Sequence, residues 1–214
     1  MNQKRILKNI ILTAAASLGL AVFARADVPL EEPMAAPAGQ GLLGQHFATL
    51  TYSYIDLDDS PTHADGFTFA FNQPLRAGLD GILSYNWAQT GLVAGERLNQ
   101  QSLDLAFRAF STAYPWGKPY VEAGAGYAWT KFAGVDDNSF FWELAVGAEL
   151  QVAPEVTVTP FIQYLDAPDL PGNGTWNFGV KGNYWVTSQW SVTAAIERDD
   201  DQNTAFTVGT NFRF

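Results

Sequence analysis

Apolar and polar residues alternate along most of this chain, and the alternation is clearest at residues 206–214. There Phe206, Val208, Thr210, Phe212 and Phe214 fall on one face, and Thr207, Gly209, Asn211 and Arg213 on the other. A period of two is the signature of a β-strand. The same period recurs in nine earlier segments: residues 45–56, 66–74, 79–89, 99–110, 119–131, 140–152, 156–165, 176–186 and 190–197. In residues 119–131, for example, Val121, Ala123, Ala125, Tyr127 and Trp129 alternate with Glu122, Gly124, Gly126 and Thr130. An exposed Phe-x-Phe strand edge aggregates in water. The pattern therefore predicts a strand with lipid on one face, a polar interior on the other, and its edge paired by closure of a barrel. The expected fold class is all-β: a transmembrane antiparallel up-and-down β-barrel over residues 45–214. Ten strands is the main reading and eight the alternative. The weakest segments are 66–74 and 156–165. Pro160 lies inside the latter and cannot donate to a ladder, so a bulge or a rim position is expected for it.

The connections sharpen this picture. Short ones are expected at residues 74–78, 112–118, 153–155 and 187–189, and longer ones at 57–65, 90–98, 132–139, 166–174 and 198–203. Outer-membrane barrels alternate in this way, with short turns on the periplasmic side and longer loops outside. An even strand number then leaves both termini in the periplasm. Tyr54, Trp87, Trp129, Trp142, Tyr164 and Trp176 lie beside the long connections, and Trp116, Tyr184, Trp190, Phe212 and Phe214 beside the short ones. Two aromatic girdles are expected, because amphipathic rings sit well at headgroup level.

The start of the chain predicts export. Lys4, Arg5 and Lys8 precede an apolar run over residues 10–22, and Ala24-Arg25-Ala26 follows as a small-x-small cleavage signal. The run is shorter than the roughly 20 residues of a spanning helix, so residues 1–26 read as a secretory signal peptide. Residues 27–44, rich in Pro, Ala and Gly, read as a flexible periplasmic leader, with a short plug entering the barrel as the other possibility.

Composition removes several function classes. With no cysteine, disulfides, thiolate metal sites and cysteine nucleophiles are excluded. The chain has 12 basic and 22 acidic residues, and Lys4, Arg5, Lys8 and Arg25 fall in the signal; the remainder carries 8 basic against 22 acidic residues, a net charge of −14. So acidic a protein is a poor partner for nucleic acid.

The strand at Phe206, Val208, Phe212 and Phe214 resembles the signal read by the barrel-assembly machinery. With the signal peptide and residues 45–214, it makes the chain similar to the small outer-membrane β-barrel proteins of Gram-negative-type bacteria, the OmpA/OmpX-like or "porin family" group. Thr210 is less apolar than that group usually has. The resemblance implies a monomer in the bacterial outer membrane, with lipid, lipopolysaccharide and the assembly machinery as partners. No cofactor is implied.

The chemistry lies inside the predicted barrel. Asp104, Arg108, Glu122, Glu143, Glu149, Lys181, Glu197 and Arg213 fall on inward positions, where charges must be paired or wet. Arg108 and Glu122 are equidistant from a turn near Pro115. They are expected to face each other across adjacent strands, with Glu149 near them. The network reads as a charge cluster filling a narrow barrel, or alternatively as a cation-preferring constriction of a small passive channel. A small bore favours the first. The inward Gly124, Gly126, Gly147, Gly179 and Gly209 leave room for neighbouring side chains or water.

Catalysis is not expected. The two histidines, His46 at the start of the first strand and His63 in the first long loop, lie in no His-x-Ser or Asp-x-His arrangement. Aspartates mark the long loops, among them Asp136, Asp137, Asp199, Asp200 and Asp201. Such oxygen ligands suit divalent cations, but their spacing matches no calcium loop, and a solvated acidic rim is the main expectation. The function expected is a non-catalytic outer-membrane barrel with a structural or surface-interaction role and a largely plugged lumen.

Overall fold

The computed structural model describes residues 41–58, 62–92, 95–169 and 174–214. Ten antiparallel strands form one closed barrel: β1 (Phe47–Asp56), β2 (His63–Arg76), β3 (Leu79–Thr90), β4 (Asn99–Phe110), β5 (Lys118–Phe132), β6 (Val135–Ala153), β7 (Val156–Asp166), β8 (Thr175–Trp185), β9 (Trp190–Asp199) and β10 (Thr204–Arg213). Each strand pairs with its sequence neighbours, and β10 returns to β1. The closing register runs from Phe47 opposite Arg213 to Asp56 opposite Thr204. Closure leaves no free sheet edge along this seam. The lower end of the barrel is taken here as the end at Phe47 and Arg213, and the upper end as that at Asp56 and Thr204.

Side chains divide as the alternation predicts. Leu50, Phe69 and Val208 point outward and are 53%, 53% and 56% exposed, whereas Thr49, Thr68 and Thr207 beside them are buried inside. The molecule is apolar outside and polar within, the reverse of a water-soluble protein. Outward rings cluster at both ends. Trp142, Tyr164 and Trp176 pack in tilted pairs near the upper end, with centroids 5.4 and 4.9 Å apart. Trp190, Phe212, Phe214 and Phe71 form a chain near the lower end, with separations of 4.7, 6.2 and 5.2 Å.

Inward aromatics are fitted onto inward glycines. Phe141 lies opposite Gly126, Tyr120 opposite Gly147, and Phe161 opposite Gly179. A β-carbon on any of these glycines would overlap the facing ring. The glycines thus make room for neighbouring side chains, and that is how a narrow barrel holds aromatics inside its wall.

Four local expectations need correction. The connection expected over residues 132–139 is a two-residue turn at Ala133 and Gly134, and β6 already begins at Val135. Both turn residues have positive φ, 50° and 76°. Mirror-image turns of this kind match the twist of paired strands, so the hairpin continues upward and carries Asp136 and Asp137 as strand residues. The second strand reaches from His63 to Arg76, beyond the 66–74 expected, with an irregularity between Pro74 and Arg76. Pro160 sits mid-strand, at neither a rim nor a bulge. Pairing with β6 resumes on either side of it but skips Ala148, Glu149, Thr159 and Pro160. The ladder absorbs the missing donor by this interruption. Finally, residues 41–44 are not a flexible leader: Leu42 and Leu43 are buried, 5% and 4% exposed, in the lower mouth. The signal expected at residues 1–26 and the leader as far as residue 40 lie outside the described residues.

Candidate functional site

The lumen is lined by two apolar clusters and a polar network, set by the residues that alternation turns inward. At the upper end Ile55, Ala64, Ala88 and Ala205 point in from four strands. Leu57 and Leu98 fold over them from adjoining connections, and Phe132 packs on the group. This apolar roof is built from the wall and its loops.

The middle level is polar and divides into two sides. On the β4–β7 side, Arg108 and Glu122 are register partners, and Arg108 Nε donates to Glu122 Oε2 at 2.5 Å. The guanidinium also lies 4.9 Å from the Tyr120 ring centroid, a cation–π distance. Asp104 accepts from Ser84 Oγ (2.9 Å) and Asn86 Nδ2 (3.0 Å). Glu143 accepts from Gln163 Nε2 at 2.6 Å, while Glu143 Oε1 and Gln163 Oε1 are buried without a hydrogen-bond partner. On the seam side the network is neutral. Thr49 Oγ1 donates to Asn211 Oδ1 (2.7 Å), and Asn211 Nδ2 reaches Ser191 Oγ (3.0 Å) and Asn183 Oδ1 (3.2 Å). Asn183 Nδ2 continues to Thr157 Oγ1 at 3.3 Å. Between the two sides lies a cavity of about 130 Å³, bordered by Arg108, Glu122, Gln163, Lys181 and Glu197 among others. At about 30 Å³ per water this is space for a few waters.

A second apolar cluster, Leu42, Phe47, Ala70, Ile82, Ala106 and Trp185, interleaves with the polar groups toward the lower end: Ala106 lies one inward position above Arg108 on β4, and Ala70 lies opposite Thr49. Leu42 and Leu43 also form the floor of the cavity. Arg213 lies 3.9 Å from the centroid of a Trp185 ring.

The residues predicted for the lumen network divide along the barrel axis. Asp104, Glu143 and Lys181 lie in its middle, and Arg108 meets Glu122 below them, opposite Asp80. Glu149 and Arg213 belong to the lower mouth. Glu149 lies opposite Lys118, 3.4 Å from its Nζ, and not with the Arg108 pair. Sequence reasoning missed Asp80, which is fully buried at the mouth and accepts from Gly44 N at 2.9 Å. Its inward position in the 79–89 alternation was the available signal. The four assembly-signal residues point outward, Phe206, Val208 and Phe214 being prominently exposed.

The aspartates considered for cations are dispersed. Asp136 pairs with Lys131 at 3.3 Å, and Asp137 caps Asn138 N. Asp199 is buried and holds Asn203 through both carboxylate oxygens, so it leaves the acidic rim on which the sequence placed it. Asp200 accepts from Trp176 N. No group of three or more His, Cys, Asp or Glu suited to a metal ion occurs among the described residues.

The histidines lie on the outer wall. His46 stands near Phe214, with centroids 6.2 Å apart. His63 begins β2, where the sequence suggested a loop; it stacks on Tyr54 and lies 3.4 Å from Asp65. Asp65 also accepts from Tyr52 Oη at 2.5 Å, and this trio is exposed.

By sequence the chain matches no family model and no curated protein. Solved structures of similar fold are outer-membrane β-barrels. The translocator domain of the autotransporter NalP from Neisseria meningitidis aligns over 82% of this chain and 90% of its own, with 9% identity and a TM-score of 0.52. The NanC porin aligns over 78% and 100%, with 10% identity and a TM-score of 0.48. The outer membrane protein OprG from Pseudomonas aeruginosa aligns over 80% and 96%, with 11% identity and a TM-score of 0.42. At 9% identity the likeness to the NalP translocator domain is one of fold.

Proposed function

We propose that this protein is a non-catalytic bacterial outer-membrane barrel whose role is structural or surface-interacting, with a lumen closed to solutes. The observation that carries the membrane assignment is the exterior. Along the middle of the strands the outward positions are predominantly apolar or aromatic, with polar ones such as Asp65, Gln101 and Arg198 near the upper end, and a belt of that extent in water would aggregate. In lipid it is the favourable surface, and barrel closure satisfies the backbone. Short connections at the lower end and the protruding β5–β6 hairpin at the upper end support a periplasmic lower mouth and an extracellular upper one. Lipid and lipopolysaccharide would face the belt, and the assembly machinery would read β10. We read the His63, Asp65 and Tyr52 trio as an interfacial hydrogen-bonded group, because it lies on the outer wall and not beside a pocket nucleophile.

The closed reading is supported by an apolar cluster toward each end and by the small free volume, about 130 Å³, left among the polar side chains of the lumen. A second reading, a small cation-preferring channel, draws on Glu122, Glu149 and Glu197 outnumbering Arg108 and Lys181 around that cavity. Purified protein in planar bilayers separates the two. Absence of unitary conductance is the expected result, and stable cation-selective steps would overturn the closed reading in favour of the channel.

A further inference from the structure

Five strands send one side chain each to the main chain of residues 41–45. From β2, Asn72 Nδ2 donates to the Gln45 carbonyl at 2.8 Å. From β3, Asp80 accepts from Gly44 N at 2.9 Å. From β5, Lys118 Nζ donates to the Leu43 carbonyl at 3.1 Å. From β6, the Glu149 carboxylate accepts from Leu42 N at 2.6 Å and Leu43 N at 3.4 Å. From β10, Arg213 Nη2 donates to the Gly41 carbonyl at 2.5 Å. The segment turns on itself through Gln45 N and the Leu42 carbonyl, 3.1 Å apart. Gly41 and Gly44 have φ of 76° and 80°, which side chains seldom adopt. A β-carbon on Gly41 would also strike the Glu149 carboxylate.

The segment is no part of the wall. The barrel closes without it, its ladder starting at Phe47 and Arg213. Its polar contacts go to side chains, through carboxylates that take N–H groups and cations that take carbonyls. Leu42 and Leu43 add apolar contact and line the cavity, and Leu43 also borders the space at the mouth below it. We propose that residues 41–45 are a displaceable stopper, and that the mouth they occupy is a binding site for the main chain of a short apolar peptide, occupied here in cis. With the stopper out, the cavity becomes a blind polar vestibule open at the lower end, because the roof is built independently.

The absence of cysteine makes this directly testable. Thr51→Cys, on the cavity wall, is the single reporter in the full mature chain in lipid vesicles, probed with a small water-soluble methanethiosulfonate. Slow labelling is expected with the stopper intact. Labelling is expected to accelerate about tenfold or more with Leu42→Ser plus Leu43→Ser, and likewise with Glu149→Gln, which weakens charge-assisted hydrogen bonds. Free Gly-Leu-Leu-Gly-Gln peptide in excess is expected to restore protection in the leucine variant. Equal rates in parent and variants would overturn the stopper, and peptide that leaves the fast rate unchanged would overturn the binding site. The leucines lie outside the ladder, so that variant decides the matter even if Glu149→Gln does not fold. The inference rests on the barrel reading and on the closed roof: a conducting parent overturns the closed-lumen reading, whereas a non-conducting parent with equal labelling rates overturns the stopper alone.

Discussion

The lumen carries an apolar cluster toward each end, and the two are held in place by different means. The roof consists of Ile55, Ala64, Ala88 and Ala205 on strands, joined by Leu57, Leu98 and Phe132. Removing the strand-borne part would mean dismantling the wall. The floor is completed by Leu42 and Leu43, on a segment held mainly by side-chain hydrogen bonds. Equal hydrophobicity therefore gives unequal permanence. Burial on a ladder-paired strand has the stability of the whole barrel behind it, whereas burial on a tethered segment has only that of local opening.

The strongest way to break the comparison is to open both ends. Leu57→Ser together with Leu42→Ser and Leu43→Ser is expected to give unitary conductance in planar bilayers, where either end opened alone gives none. Conductance from the leucine pair alone would show the roof to be no barrier. Next in size is the level that separates the ends. Arg108→Ala leaves Glu122 buried without its cation beside Asp104 and Glu143. A loss of about 3–5 kcal/mol is expected in urea unfolding from lipid vesicles. A third test compares like with like. Ile55→Ala should cost roughly 2–5 kcal/mol, as for a core aliphatic, while Leu42→Ala should cost less than about 1 kcal/mol because its segment can leave. Similar costs at both sites would erase the distinction. The smallest effect is expected beside the roof, where Ala133 holds a φ of 50°. Ala133→Asn should stabilise by about 0.5–1 kcal/mol, since Asn-Gly suits a mirror-image turn; an unchanged unfolding midpoint would count against this.

Membrane assembly provides a separate check on the exterior. Deleting Phe214 removes a ring that packs with Phe212, Phe71 and His46 at the lower belt. Reduced insertion into the outer membrane is the expected outcome, measured as the heat-modifiable fraction, and normal insertion would argue against β10 as the assembly signal.

Much of the fold was legible in the chain. A two-residue period fixes which side chains face in, so Arg108 and Glu122 could be paired from their equal distance to one turn. The seam between β1 and β10 was legible too, because a barrel must join its first strand to its last. Glu149 was legible as inward but not as a latch. Its hydrogen-bond partners, Leu42 and Leu43, are 107 and 106 residues away in the chain, and no period relates them. The dispersal of Asp136, Asp137 and Asp199 was hidden for a similar reason. Whether an Asp lies in a loop or ends a strand depends on where pairing stops, and the tight turn at Ala133 and Gly134 moved that point.

By itself the sequence determined the barrel, its inside and outside, and its local ion pair, because all three follow from periodicity and short-range register. Only the tertiary structure decided how the lumen is filled. The roof, the seam network of Thr49, Asn211, Asn183 and Thr157, and the floor under Leu42 each join residues far apart in the chain. Their distances are set by the curvature of the closed wall, and that exists only once all ten strands are paired.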